Sequence, residues 1–297
     1  LGLRFSLPRP NGMVLIATIP ALVILGLLAV IAAISLRVSV ADSALTLEHY
    51  VSLYTDRLAY RAMVNTVGFA AVTLAVALFF GVPMAWLVER TDMGAKRLMY
   101  SMVTIGLLIP GFFTAMGWLF LLHPRIGLVN QWLMGWLGLA SGPISILNVP
   151  GMGWVQGLGL AALVFVMTSA SLRAMDSSLE EAAEMSGAGF AWRMRRITLP
   201  LVFPAILAAS LYVIPIAFSA FDVPAVIGLQ NRVLTFSTYV YSATNPSTGA
   251  PDYGLPSAFS AFMIVLGLLL SWWYSRTLRH ARRYQVITGR NYQPKTV

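Results

Sequence analysis

The chain has 297 residues, of which 58% are hydrophobic and only 10% charged, against about a quarter charged in an ordinary soluble domain. Its mean hydropathy is +0.76 and its net charge +9. This balance excludes a soluble domain and points to basic loops flanking membrane spans, not to a nucleic-acid surface. The absence of cysteine excludes disulfides, thiolate metal sites and a cysteine nucleophile.

Six apolar runs are long enough to cross a hydrocarbon core of ~30 Å, which takes about 20 helical residues. They cover roughly 13–36, 62–88, 98–122, 152–172, 200–221 and 257–275. The first follows Arg4 and Arg9 as a signal peptide would. It is too long for a signal-peptide core and no small-residue cleavage site follows, so it is read as a span. None of the six carries Asp, Glu, Lys or Arg in its middle, as the cost of a central charge demands. Pro204 and Pro215 interrupt the fifth, where kinks are expected.

Loop charge sets the orientation. The terminal segments and the loops after even spans hold fifteen of the twenty Lys and Arg; the opposite loops hold five. By the positive-inside rule both termini lie in the cytoplasm. The outer segment 123–151 contains Trp132 and Trp136, which suit a helix lying at the headgroups or, equally, one packed on the bundle.

The loop between spans four and five is different in kind. Residues 180–200 read "EEAAEMSGAGFAWRMRRITLP", with three of the eleven acids and three of the twenty bases. Ser177 or Ser178 can cap a first helix, with Glu180 or Glu181 closing a capping box. Leu179, Ala182, Ala183 and Ser186 share a small-residue face, with Glu180 and Glu184 on another flank and Glu181 nearly opposite the small face. Gly187 sits where a left-handed residue would end that helix. Phe190, Met194, Ile197 and Leu201 then form one apolar stripe of a second helix, and Pro200 opens the next span. Anionic lipid would repel the three Glu of the first helix, so a protein partner explains it better than a membrane surface does.

These residues carry a resemblance. Glu181-Ala182-Ala183, Gly187 after three more residues, Ile197 after nine more, then Leu199-Pro200 resembles the E-A-A-x3-G-x9-I-x-L-P pattern of the permeases of ABC importers. The resemblance implies an all-α integral membrane protein of the type I importer permease kind. It would have about six transmembrane helices and a cytoplasmic helix–Gly–helix coupling loop near 176–199. It implies that Glu181, Ala182, Ala183 and Gly187, with Ile197, Leu199 and Pro200, couple the chain to a cytoplasmic ATPase. Residues 65–92, with Asn-Thr, a span and Gly-x-Pro-x-Ala, are similar to the entry of the permease core. "FDVPAVIG" (221–228), "VLTFSTYVY" (233–241), "PDYGLPSAFS" (251–260) and "RRYQVITGRNYQP" (282–294) resemble the iron(III)-type branch, many of whose members fuse two halves in one chain. The chain is then an amino-terminal half, or a subunit that pairs as a homodimer or heterodimer.

The implied organisation is an N-terminal span and outer loop (1–61), a permease core (62–278) and a basic cytoplasmic tail or linker (279–297). The implied partners are ABC ATPase subunits, a periplasmic or lipoprotein substrate-binding protein, a second permease half and membrane lipid, in a bacterial inner membrane. No nucleic acid is expected. No Gly-x4-Gly-Lys-Ser/Thr loop occurs in the sequence, so ATP belongs to the partner and the chain is not itself an enzyme. The implied solute is iron(III), with polyamine, thiamine or phosphonate as alternatives, and a secondary transporter is the competing class. Asp222, at the outer end of the fifth run, either lines a translocation path or marks a helix end at the interface; the second is preferred. His49, His123 and His280 lack metal-ligand spacing.

Overall fold

The computed structural model describes residues 12–38, 44–176 and 178–281. Arg4, Arg9, Ser177 and the motif at 282–294 lie outside the described residues, as does the side chain of His280. Among the described residues the chain is helical throughout, with one isolated bridge between Arg37 and Leu45. It resolves into two compact units, one of residues 1–56 with 242–265, the other of 57–241 with 266–297.

In the first unit, α1 (Gly12–Ser35) is apolar; from Thr18 on most of its residues are exposed, and Ser35 is buried. A short helix α2 (Glu48–Thr55) follows; the Ser35 and Tyr50 hydroxyls bond at 2.8 Å and His49 Nε2 sits 2.9 Å from the Arg37 carbonyl.

The second unit is built on α3 (Arg57–Arg90) and α7 (Val149–Ala174). Small residues let their backbones meet. A Cβ on Gly157 would lie 2.6 Å from Val76 Cβ and 2.7 Å from the Thr73 carbonyl. One on Gly81 would lie 2.6 Å from the Ala161 carbonyl. Gly153, Gly157 and Ala161 recur every four residues on α7, the spacing that allows close helix approach in lipid, where packing replaces the hydrophobic drive. Asn148 caps α7, its side chain accepting from Gly151 N–H at 2.7 Å.

The third apolar run is not one helix. α4 (Lys96–Leu108) and α5 (Gly111–Leu122) meet at a bend of 102°. Pro110 pushes Ile109 into an extended conformation (φ −75°, ψ 120°) and Gly111 follows. Among the described residues five helices are therefore long and apolar enough to cross a membrane, six if the bent pair is one span. The bent pair leads into α6 (Leu128–Leu137), which ends on Gly138 at φ 65°. Asn130 fastens this segment: fully buried, it donates to the carbonyls of Leu122, His123 and Ile144 and accepts from Ile144 N–H. Trp132 and Trp136 stack with centroids 5.7 Å apart and stay exposed.

The kinks expected to interrupt the fifth run are not breaks either. α8 (Ser178–Met185) is followed by α9 (Phe190–Arg193), a five-residue π turn (Met194–Thr198) and α10 (Leu199–Ser219). Residues 190–219 form one helical rod, and α10 runs through both Pro204 and Pro215. Pro200 does not open a separate span. Its ring would press on the carbonyl four residues back, and the widened turn before it, closed by Leu199 N–H to Met194 O, makes room. After the rod the chain breaks at Ala220–Phe221, re-enters a π turn (Pro224–Gly228), and continues to α11 (Phe236–Thr244) and α12 (Gly254–Ala281). Asn65 and Thr66 pin the approach to α11: Asn65 Nδ2 donates to Leu234 O and Thr66 Oγ1 accepts from Phe236 N–H.

Candidate functional site: an elbow and a cavity

α8 is capped by Asp176, which accepts from Ser178 N–H at 2.9 Å. Ser177, one of the two caps expected with Glu180 or Glu181, lies outside the described residues. Glu180 turns inward: it is 9% exposed, pairs with Arg90 Nε at 3.6 Å and accepts a short hydrogen bond from Thr198 Oγ1. Arg90, 5% exposed, also donates to the carbonyls of Leu172 and Met175, at 3.1 and 3.4 Å. One guanidinium thus ties the ends of α3 and α7 to α8, and Thr198 ties α8 to the rod.

Gly187 ends α8 at φ 80°. Its N–H bonds Glu184 O, and Ala188 N–H bonds Ala183 O, the paired closure that a left-handed residue permits. Arg193 then reaches back to Glu184 at 2.7 Å, while Phe190 meets Trp86 edge-on at 5.4 Å. The helix–Gly–helix is therefore a cross-braced elbow. A second brace lies beside it: Glu89 takes Arg173 Nε at 3.0 Å and the Tyr100 hydroxyl, and Arg173 lies over the Tyr100 ring.

With Glu180 turned in, the small-residue face stays out. Leu179, Ala182, Ser186 and Gly187 are exposed, Glu181 and Ala183 are half-buried, and Met185 is 90% exposed. Ile197 is half-buried, while Leu199 and Pro200 are exposed at the root of the rod. Ala182 on α8 and Gly187 at its end thus lie open, Glu181 is across the helix from Ala182 and Ser186, and Ile197, Leu199 and Pro200 follow at the passage into α10.

Asp222 belongs elsewhere. It lies just past the break that ends α10 and lines a cavity of about 470 Å³ between the α4–α5 bend, α7 and the far end of α10. Both readings of this residue meet here: it follows a helix end, exposed, and it lines a half-open cavity. Gln156 of α7, Thr114 of α5 and Ser219 of α10 line the same cavity. Sequence reading passed over Gln156, the signal for which is an amide alone in an apolar run. It also passed over Arg90, Asn130 and the Gly153–Gly157–Ala161 spacing. His49 and His123 serve their own loops, the latter near Arg125 and Ile126 N–H.

A helical membrane bundle with a braced helix–Gly–helix at one end and a polar cavity at a broken helix defines the class of importer permeases. The family of binding-protein-dependent transport system inner membrane components matches residues 79–283, and the chain belongs to that family. It is 25% identical over 237 residues to the sulfoquinovosyl glycerol transport system permease protein of Agrobacterium fabrum, covering 78% of this chain and 76% of that one. It is 27% identical over 259 residues to the sn-glycerol-3-phosphate transport system permease protein of Salmonella choleraesuis, covering 80% and 81%. Its fold matches a chain of a bacterial ABC transporter that imports the acidic polysaccharide alginate, with a TM-score of 0.72 at 20% identity over 91% of this chain and 94% of that one. The fold is that of a type I importer permease. Several of the relatives are named as permeases for sugars, sugar derivatives or glycerol phosphate and one as a probable molybdenum permease, and these names give the iron(III) branch no support.

Proposed function

We propose that the chain is the solute-conducting subunit of an ATP-driven importer in a bacterial inner membrane. Both termini and the elbow face the cytoplasm. The outward face of α8, with Glu181, Ala182, Ala183 and Gly187, docks on a separate ATPase, which alone holds ATP. A substrate-binding protein delivers solute at the opposite end, and a second permease half completes the path. The solute is a hydroxylated organic molecule of the sugar or glycerol-phosphate kind, in place of iron(III).

The observation that carries this reading is the division of labour on α8. Its buried acid, Glu180, fixes the helix to three other elements, which leaves a small, closely approachable face presented outward on a rigid mount. A lipid-resting helix would turn its apolar side to the bundle or bilayer and its acids to water; here the buried side is the acid. Because the chain lacks cysteine, the test is direct. Ala182→Cys or Ser186→Cys, oxidised in the assembled transporter, should trap a cysteine placed in the ATPase groove. Recovery of uncrosslinked subunit alone, with the variants inserted and assembled, refutes the docking role.

A further inference from the structure

Two polar groups set among apolar helices have no protein partner, and both face the cavity at the α4–α5 bend. Gln156 lies seven residues into α7, roughly 10 Å along its axis at 1.5 Å per residue, and is half-buried. Among the described residues no group hydrogen-bonds its amide or the Asp222 carboxylate. An unsatisfied amide is costly in hydrocarbon, and Asp222 is exposed, so the half-open cavity leaves both groups to water until something else replaces it.

We propose that Asp222 and Gln156 form a hydroxyl-binding subsite on the translocation path, taking neighbouring hydroxyls of a polyol or sugar. This rests on the reading of the chain as an importer permease and names the chemistry of its path. An ionised carboxylate only accepts, and its two oxygens suit two adjacent hydroxyl donors. The Gln156 amide adds two donors and an acceptor, and Thr114 adds a hydroxyl on the same wall. Gly111 leaves the carboxylate accessible, since a Cβ there would lie 3.0 Å from Asp222 Oδ2. Phe221, also in the lining, offers an apolar face for the C–H side of a sugar ring. A ferric ion fits poorly: among the described residues no cluster of three or more His, Cys, Asp or Glu exists to hold a metal. An anionic group fits poorly at this point too, because it would meet a like charge.

The test uses the assembled transporter. Leu160→Cys places a single thiol on the cavity wall without touching the proposed subsite. Its reaction with a charged, membrane-impermeant thiol reagent is timed in the presence of trehalose, glycerol, sn-glycerol-3-phosphate or ferric nitrilotriacetate. The expected result is that at least one of the three hydroxylated solutes slows labelling about tenfold, the scale of one charge-assisted hydrogen bond, and that the ferric complex does not. Adding Asp222→Leu or Gln156→Leu should abolish that protection while the elbow crosslink persists, which shows that the variants remain folded and assembled. An unreactive thiol, protection by none of the hydroxylated solutes, protection by the ferric complex, or protection that survives both Leu variants each overturns the subsite. Loss of the elbow crosslink in the parent transporter would instead overturn the permease reading itself.

Discussion

The pair Arg90–Glu180 offers a quantitative test of how the elbow is mounted. Both side chains are nearly closed to solvent, 4% and 12% exposed, so neither ion has water to fall back on. Glu180→Leu leaves the Arg90 guanidinium with two carbonyls and no counter-charge; Arg90→Met leaves the Glu180 carboxylate with the Thr198 hydroxyl alone. Removing one partner of a buried pair costs about 3–5 kcal/mol, whereas replacing both with apolar residues of similar volume is near neutral or stabilising. The double variant Arg90→Met/Glu180→Leu should therefore be more stable than either single variant, with a coupling of about 3 kcal/mol or more. Thermal unfolding of the purified subunit in detergent reads the cycle. Transport per ATP in proteoliposomes reads the function, and it should stay low in the double variant, because an apolar contact does not fix α8 in direction as the ion pair and the Thr198 hydrogen bond do. Single effects that add within about 0.5 kcal/mol would show that the two residues do not act on each other. Full coupling in the double variant would show that the tie is not part of the lever.

Other expectations follow from particular contacts. At Gly187 an added Cβ meets nothing within 4 Å, so Gly187→Val acts through φ alone, costing roughly 1–2 kcal/mol; it should uncouple hydrolysis from uptake, and Gly187→Asn, which tolerates φ 80°, should not. Ala183→Arg should leave insertion intact and lower ATPase capture by pull-down, since it changes only the outward face. Gly157→Val and Gly81→Val force contacts near 2.6 Å with backbone carbonyls; each should cut the yield of monodisperse protein through at least about 1–3 kcal/mol of overpacking. Asn130→Leu takes the side-chain partner from Ile144 N–H and from the carbonyls of Leu122 and Ile144, while His123 O keeps Gly127 N–H, and hydrogen exchange across α6 and residues 139–148 should rise by tenfold or more, about 1–3 kcal/mol per unsatisfied group.

The spans were legible because apolar runs report burial in lipid whatever the packing. Their shapes were not. Proline breaks the chain at Pro110 yet passes unbroken at Pro204 and Pro215, so the residue type alone does not decide. Pro110 is followed by Gly111, which adds conformational freedom to a missing N–H and admits the Asp222 carboxylate. Pro204 is followed by Ala-Ile-Leu-Ala-Ala, which holds the helix. The elbow was legible because charge is scarce in this sequence, but the inward turn of Glu180 depends on Arg90, ninety positions earlier. The iron(III) expectation failed for a related reason. Two of the segments that suggested it carry packing: Val223, Val226 and Ile227 join the core, and Thr235 and Thr238 bond each other and their own turn. Such residues preserve a scaffold and carry no record of the solute.

The elbow and the cavity are joined by one element, and this limits how force can move between them. The rod of residues 190–219 is 30 residues long, about 45 Å at 1.5 Å per residue. At one end Phe190 and Arg193 hold it to Trp86 and Glu184; at the other, Ile216 and Ser219 form part of the cavity wall. Between them Ala209 and Val213 are fully buried against Ala77 of α3 and Val164 of α7, on the helix pair whose glycine contacts leave little room to give. The packing does not stop at the middle: Val202 lies in a core cluster with Ala85 and Phe165, and Ala217 in another with Phe69 and Met152. On the proposed reading, a displacement of the elbow should therefore carry the rod as one body, and the residues beyond its far end, Asp222 among them, are the ones expected to feel it.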